Sequence, residues 1–326
     1  MTEQQNNHTQ ETFDAEIVGT ELDLRKVDLL TDIGSRQPNS AEIWYGHSIL
    51  TSTLFPASPP KPGVDFVSKS NGSTEYLLEA GVDTNRERRF PFGKYPRLLM
   101  AWMAKQIRAA GKTKTATVDP EHHAITIPSI YKLVDDMGLS QGGRTSHDVQ
   151  EQLRLLLACR ISVRRSTGFA GRSVEDVVYM PIVRAVRNVQ DSRDVGYSGA
   201  VFELTQEVYD RLARESAPFD TRATTYLLSG RSVLAYDVYI WLAGSMKELK
   251  HDLPISWAWL YERFGDTIGT LKNFKAMFRK ALTKVRQVYP EINVDLNKDG
   301  IVLHPSPTVI APRHSKAEKW LEQSEG

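Results

Sequence analysis

The chain has 326 residues, of which 40% are hydrophobic, enough to bury more than one core. Cys159 is the only cysteine, which excludes a disulfide framework and a zinc site built from cysteines. No apolar run approaches the roughly 20 residues that span a bilayer, and the N-terminus lacks the apolar core of a signal peptide, so we expect a cytoplasmic protein.

The net charge of +1 hides an uneven distribution of charge along the chain. Residues 1–90 carry 8 Lys/Arg and 14 Asp/Glu, whereas residues 91–326 carry 33 and 26. The first 40 residues are polar apart from a short helix expected through Leu22, Leu24, Val27 and Leu30, and residues 55–63 are rich in proline, as linkers are. Residues 1–62 are therefore predicted to form an acidic, mobile N-terminal extension.

Alternating apolar residues predict a β-hairpin over residues 64–78 with its turn at Asn71-Gly72. An amphipathic helix follows from Arg97 to Ile107, and a second core helix is predicted from Val233 to Leu242. We interpret both helices as scaffold.

A first helix-turn-helix with a following hairpin, rich in Lys and Arg, is predicted between residues 125 and 183, and we call it the first unit. A short strand at Ile125 to Ile127 precedes a helix that Ser129 caps and Gly138 ends, and a second helix runs from about Thr145 to Ala158. An arginine-bearing hairpin follows, with its tip at residues 168–171 and its returning strand at residues 177–183. The DNA contacts predicted for this unit are Arg144, Thr145, His147, Gln150 and Arg154 on the helix, and Arg164, Arg165 and Arg172 on the hairpin.

The second unit, residues 253–307, has the same order and a more basic helix. Ser256 caps a short helix that Gly265 is predicted to end in a left-handed conformation, and Thr270 opens the next helix. That helix buries one apolar arc, has no acidic residue from Leu271 to Val288, and is followed by a hairpin that turns at residues 297–300. Its predicted DNA contacts are Lys272, Lys275, Arg279, Lys280, Thr283 and Arg286.

The predicted fold is therefore α+β, with two tandem winged helix-turn-helix domains. We place the first domain at residues 63–205, the second at residues 206–309 and a C-terminal tail at residues 310–326.

Several stretches resemble the RepA-type plasmid replication initiators, and together they span about residue 64 to residue 309. They are Phe90 to Trp102, Arg231 to Leu242, Ile255-Ser256-Trp257 through Leu260-Tyr261 to Phe264-Gly265, Phe274 through Phe278-Arg279-Lys280-Ala281-Leu282 to Tyr289-Pro290, and Leu303 to Pro307. Thr308 stands where the family pattern has another proline.

This resemblance implies a protein that binds double-stranded DNA at repeated sites of a plasmid origin and helps to open an AT-rich segment. It also implies recruitment of the host initiator and helicase machinery, and a homodimer as one assembly state. Two other classes fit the helix-turn-helix pattern: a winged-helix transcriptional regulator, and a plasmid partition protein.

Motifs for catalysis are incomplete in the sequence. Gly111-Lys112-Thr113 has the end of a phosphate-binding loop, but Gln106 stands where its first glycine belongs. His122 and His123 are adjacent, whereas a metal-dependent nicking enzyme would separate two histidines by one apolar residue, and Tyr131 would then have no metal beside it. We expect no enzymatic activity, no metal and no cofactor.

Overall fold

A computed structural model describes residues 24–71, 74–83, 86–169, 172–189, 199–230 and 232–311, and it has the mixed α and β character that the sequence predicts. The helices of this described part are α1 (24–35), α2 (Lys94–Ala110), α3 (Ile130–Asp136), α4 (Gly143–Ala158), α5 (Gln206–Arg214), α6 (Thr221–Leu227), α7 (Leu234–Met246), α8 (Trp257–Phe264) and α9 (Leu271–Val288), with a π-helical turn at Ile49–Thr53. None of these helices is both long and apolar enough to span a bilayer.

The strands form four antiparallel sheets, with the orders β1–β10, β2–β3–β6–β7, β4–β5–β9–β8 and β11–β13–β12. Their bounds are β1 (Ile43–Gly46), β2 (Phe66–Asn71), β3 (Thr74–Glu79), β4 (Val118–Asp119), β5 (Ala124–Ile127), β6 (Arg160–Phe169), β7 (Arg172–Pro181), β8 (Val183–Val189), β9 (Gly199–Leu204), β10 (Ala217–Asp220), β11 (Leu253–Ser256), β12 (Val294–Leu296) and β13 (Gly300–Leu303).

The two helices predicted as scaffold lie at the centre of the fold. The apolar residues expected to face inward on α2, among them Trp102 and Ile107, are buried, and α7 is buried on nearly every side. Both helices belong to a continuous apolar core that also includes the buried face of α9. The scaffold interpretation of these segments therefore agrees with their burial.

A buried ion pair joins α2 to α7. Arg97 donates from Nε to Oδ1 of Asp237 and from Nη2 to Oδ2, both at 2.8 Å. The same guanidinium donates to the carbonyl oxygens of Phe55 at 2.7 Å and Gly93 at 2.6 Å. Burial raises the pKa of Asp237, and the charge of Arg97 opposes that rise. Because each charge has matched partners, the pair can remain in the core.

The predicted mobile extension is wrong for residues 43–55. Strand β1 pairs with β10, so that Trp44 lies opposite Phe219, and Leu50 and Phe55 are almost completely buried. A short apolar segment that completes the core lies between the polar first 40 residues and the prolines after Phe55, and those flanking residues dominate the composition of the region. The N-terminal end of the structured region therefore lies well before residue 63.

The two predicted units do not repeat their strand pairing. In the second unit β11 pairs with β13 of the following hairpin, whereas in the first β5 pairs with β4 and β9. The first hairpin, β6–β7, instead extends β2–β3 into a four-stranded sheet. Its returning strand is Arg172–Pro181, and the segment from Val183 belongs to a separate strand, which corrects the predicted span of 177–183.

We expect Arg97→Met to lower the free energy of unfolding by about 3–5 kcal/mol, because the variant leaves the Asp237 carboxylate buried without its partner. Urea denaturation measures this change. Arg214→Met is the control: the Arg214 side chain is 77% exposed, so a change within about 0.5 kcal/mol is expected. An equally small effect of Arg97→Met would contradict the structural role of the pair.

Candidate nucleic-acid interface

Helix α9 begins where the sequence predicts, and its apolar arc is buried. The Thr270 side chain accepts a hydrogen bond from the backbone N–H of Asn273, which caps the first turn. The buried positions recur at helical spacing and are Phe274, Phe278, Ala281, Leu282, Val285 and Val288. The opposite face is left to solvent.

The side chains predicted to contact DNA from that outer face differ in their exposure and in their hydrogen bonds to the protein. Lys272, Arg279, Lys280 and Thr283 are exposed, and Lys275 is half-buried. Arg286 is exposed too, but its Nη2 donates to the carbonyl oxygen of Val294 in β12, so it fastens the helix to the hairpin. The Thr283 hydroxyl donates to the carbonyl oxygen of Arg279. The result is a cationic surface with Arg279 near its centre.

Trp257, the first residue of α8, lies beneath this surface. The residue is 2% exposed, and Lys275 Nζ and Arg279 Cζ lie 5.4 Å and 5.3 Å from the centroid of its ring. At these distances a cation is attracted by the face of an indole. The sequence pattern predicted this tryptophan only as part of a short helix, because spacing along the chain does not show what its ring covers.

Gly265 ends α8, but not in the left-handed conformation that was predicted. Its φ is −97°, an ordinary value, and a Cβ at this position would lie 2.2 Å from Cδ2 of the Tyr261 ring. The Tyr261 hydroxyl in turn donates to the carbonyl oxygen of Ile268 at 2.6 Å. Glycine is required here because the tyrosine ring closes over the turn between α8 and α9.

The hairpin β12–β13 follows α9 as predicted. Asn297 holds its turn, since Oδ1 accepts hydrogen bonds from the backbone N–H groups of Asp299 at 2.9 Å and Gly300 at 2.8 Å. The N–H of Asn297 closes the turn on the carbonyl oxygen of Gly300. Strand β11 completes a three-stranded sheet, so the hairpin is anchored on one side.

In the first unit, helix α4 presents only part of the predicted set. Arg144, His147 and Gln150 are exposed and Thr145 is half-buried. Arg154 forms an ion pair with Asp83, whose side chain is fully buried. The Arg154 guanidinium is therefore engaged within the protein and is not part of the proposed interface.

On the first hairpin, Arg164 and Arg165 are exposed on β6. Acidic residues lie beside both: Glu175 is 4.0 Å from Arg164, and Asp176 is opposite Arg165 in the strand register. The side chain of Arg172 and the turn at residues 170–171 lie outside the described residues. This hairpin is thus less cationic than its arginines alone suggest.

Residues 90–258, a little over half of the chain, match the family described as plasmid encoded RepA protein. The chain belongs to this family. No curated protein matches it. Among solved structures, a crystal structure of RctB domains 2 and 3 is similar to this RepA-family chain, with a TM-score of 0.47 and 9% sequence identity. The match covers 79% of this chain and 98% of the RctB chain. A second crystal structure of RctB domains 2–3 matches with a TM-score of 0.44 and 11% sequence identity. That match covers 78% of this chain and 94% of the RctB chain.

The matched segment of the RepA-family chain ends at residue 258, before α9 begins. The family match therefore includes α2, α4 and α7 but not α9. The case for a DNA-binding surface on α9 depends on the geometry of that helix alone. Two further arginines of the RepA-family protein, Arg184 and Arg187 on β8, escaped the sequence prediction. Their side chains are 69% and 67% exposed, and both form ion pairs with Glu203. Alternation along β8 would not have revealed both, because the irregularity between Val183 and Ala185 takes Arg184 out of the alternating pattern.

One small acidic cluster lies apart from this surface. Ligand atoms of Asp119, Glu121 and His122 lie within 4.8 Å of one another, but Asp119 already accepts a hydrogen bond from Lys114 at 2.6 Å. That bond is the main cause of the lowering of the Asp119 pKa to about 2. We assign the cluster no function, and the absence of catalysis and of metal stays a prediction.

His304 of the RepA-family protein directly follows β13 and contacts Asp252, which precedes β11, and Asp295 of β12. Its ring nitrogens lie 2.9 Å from Asp252 and 3.1 Å from Asp295, and these hydrogen bonds raise the pKa of His304. Since the folded pKa is raised, the contribution to stability is fully present below the unfolded value of about 6.5 and is lost as pH rises through the folded pKa.

We therefore expect the stability difference between the wild type and His304→Gln to shrink as the pH rises from about 6 to 8. Urea midpoints at a series of pH values measure it, and an NMR titration of the ring gives the pKa itself. A folded pKa at or below the unfolded value would contradict this assignment.

Proposed function

We propose that this chain is a plasmid replication initiator that binds repeated duplex sites at an origin through the outer face of α9. The observation that carries the proposal is the cationic surface of Lys272, Lys275, Arg279, Lys280 and Thr283, which an anchored hairpin follows directly. A helix of this length fits the major groove, where lysine and arginine reach phosphates and base edges.

We further propose that α8, α9 and the β11–β13–β12 sheet act as a winged helix-turn-helix, with the β12–β13 hairpin as the wing. Helix α4 and the β6–β7 hairpin would then supply a second contact through Arg144, Thr145, His147, Gln150, Arg164 and Arg165. Arg172 stays in this proposed set on sequence grounds alone. Two contacts in one subunit suit consecutive grooves of one duplex face.

Membership in the family of plasmid encoded RepA proteins supports initiation over transcriptional control or partition. On that basis we propose that the bound protein helps to open an AT-rich segment, recruits the host initiator and helicase machinery, and exchanges between monomer and homodimer. We also propose that the protein acts in the cytoplasm on plasmid DNA, and that it does so without a cofactor or a catalytic step.

Binding to duplex DNA should weaken steeply with salt and should not require ATP. If the basic surfaces neutralise about six phosphates, log K should fall with log salt at a slope of about −5. Fluorescence anisotropy with a labelled origin duplex, between low and moderate salt, measures the slope. A slope near zero would remove the groove-binding proposal.

Base reading and backbone anchoring should respond differently to mutation. The specific probe is a duplex from the plasmid origin that footprinting shows to be protected, which we call the footprinted origin duplex. Arg279→Ala should lower affinity for this duplex far more than for random DNA, since a bidentate arginine–guanine contact contributes about 1–3 kcal/mol of discrimination. The double variant Arg164→Ala/Arg165→Ala should weaken both duplexes together and make the salt slope shallower by up to about two units.

Arg214→Ala, on an exposed face of α5, is the matched control and should leave both affinities unchanged. The ratio of origin to random affinity at fixed salt decides between the two roles. If the hairpin variant loses that ratio while Arg279→Ala keeps it, the reading surface lies on the first unit and not on α9.

A further inference from the structure

We infer that Trp257 is a positioning residue that holds the β12–β13 turn and the cations of α9 as one unit. The inference rests on the proposed function for its purpose, but the positioning itself is a property of the free protein. It goes beyond the scaffold role that burial alone would give this side chain.

Two hydrogen bonds tie Trp257 to the hairpin turn. Its backbone N–H donates to the carbonyl oxygen of Asp299 at 3.0 Å, and its indole Nε1–H donates to the carbonyl oxygen of Asn297 at 3.1 Å. Asn297 is also the residue whose side chain organises the turn. A change in the position of the indole would therefore be transmitted to the tip of the hairpin.

The same ring is covered by two cations from α9. Lys275 Nζ and Arg279 Cζ lie 5.4 Å and 5.3 Å from its centroid, and they are one helical turn apart. Phe278, between them in sequence, meets the ring edge to face at 5.8 Å and 87°. Phe278 is completely buried, so it fixes the indole relative to the helix that carries the two cations.

The consequence is preorganisation. A free arginine or lysine side chain loses rotamer freedom when it binds, and that loss weakens affinity. The cation–π contacts with the indole restrict Lys275 and Arg279 before DNA arrives, while Arg279 stays exposed to a ligand. Because the hairpin turn is hydrogen-bonded to the same indole, the position of the hairpin relative to α9 would already be set when the protein meets a duplex.

Trp102 provides a matched control within the same chain. It is 1% exposed, and its indole Nε1–H also has a hydrogen-bond partner, Asp136, at 3.4 Å. It lies on α2, in the first half of the chain. Trp102→Phe should therefore cost stability of the same kind as Trp257→Phe without acting on α9.

The test compares Trp257→Leu, Trp257→Phe and Trp102→Phe in the full-length protein, under conditions where circular dichroism shows each to be folded. In the free protein, NMR should find side-chain protons of Lys275 and Arg279 shifted by the indole ring current. Trp257→Leu should abolish these shifts, Trp257→Phe should retain part of them, and Trp102→Phe should leave them unchanged.

With DNA, Trp257→Leu should lower the ratio of affinities for a footprinted origin duplex and random DNA by about three- to tenfold, whereas Trp102→Phe should keep the ratio. Wild-type shifts that persist in Trp257→Leu, or an unchanged ratio in that variant, would overturn the inference. If the wild type itself shows no preference for any duplex, the proposed function fails, and the NMR comparison still decides whether Trp257 positions the cations.

Discussion

Two buried arginines hold the fold together through the backbone of one short segment. Arg97 of α2 donates to the carbonyl oxygen of Phe55 while it pairs with Asp237 of α7, and Arg263 of α8 donates to the carbonyl oxygen of Ser48 at 3.1 Å. Burial lowers the pKa of Arg263 to about 10. Guanidinium groups can remain in a core only when carboxylates and carbonyl oxygens surround them. Residues 48–55 supply one carbonyl oxygen to each of the two arginines, so this segment is part of the scaffold.

The position of α9 follows from this arrangement. Helix α7 packs against α9, and the turn before α9 is held from the other side by Lys69 of β2, which forms an ion pair with Asp266. Burial lowers the pKa of Lys69, and the Asp266 carboxylate opposes that change. With its apolar face packed on α7 and the turn before it joined to β2, α9 can present a cationic face without support from a ligand. The proposed interface on α9 is therefore held in position by contacts within the protein.

Local patterns predicted most of the helices of the described part, although not α5 or α6, and predicted the long-range strand pairing poorly. The period of Phe274 to Val288 gave α9 its bounds and its buried face, because helix formation depends on neighbours three and four residues apart. The register of β5 with β9, 70 or more residues apart in the chain, has no such local signal. Nor could composition show that Arg154 and Arg286 bind protein atoms, since an exposed arginine and a paired one have the same spacing on a helix wheel.

The proposed entry of the outer face of α9 into a DNA groove can be tested by chemical cleavage from a tethered iron chelate. Cys159 is buried and its pKa is raised to about 12, so a cysteine introduced by Thr283→Cys can be labelled selectively. The chelate at position 283 should cut origin DNA at a few adjacent base pairs within each repeat, and the same chelate on Arg214→Cys should not. Cleavage from position 214 with none from position 283 would show that α9 does not enter the groove.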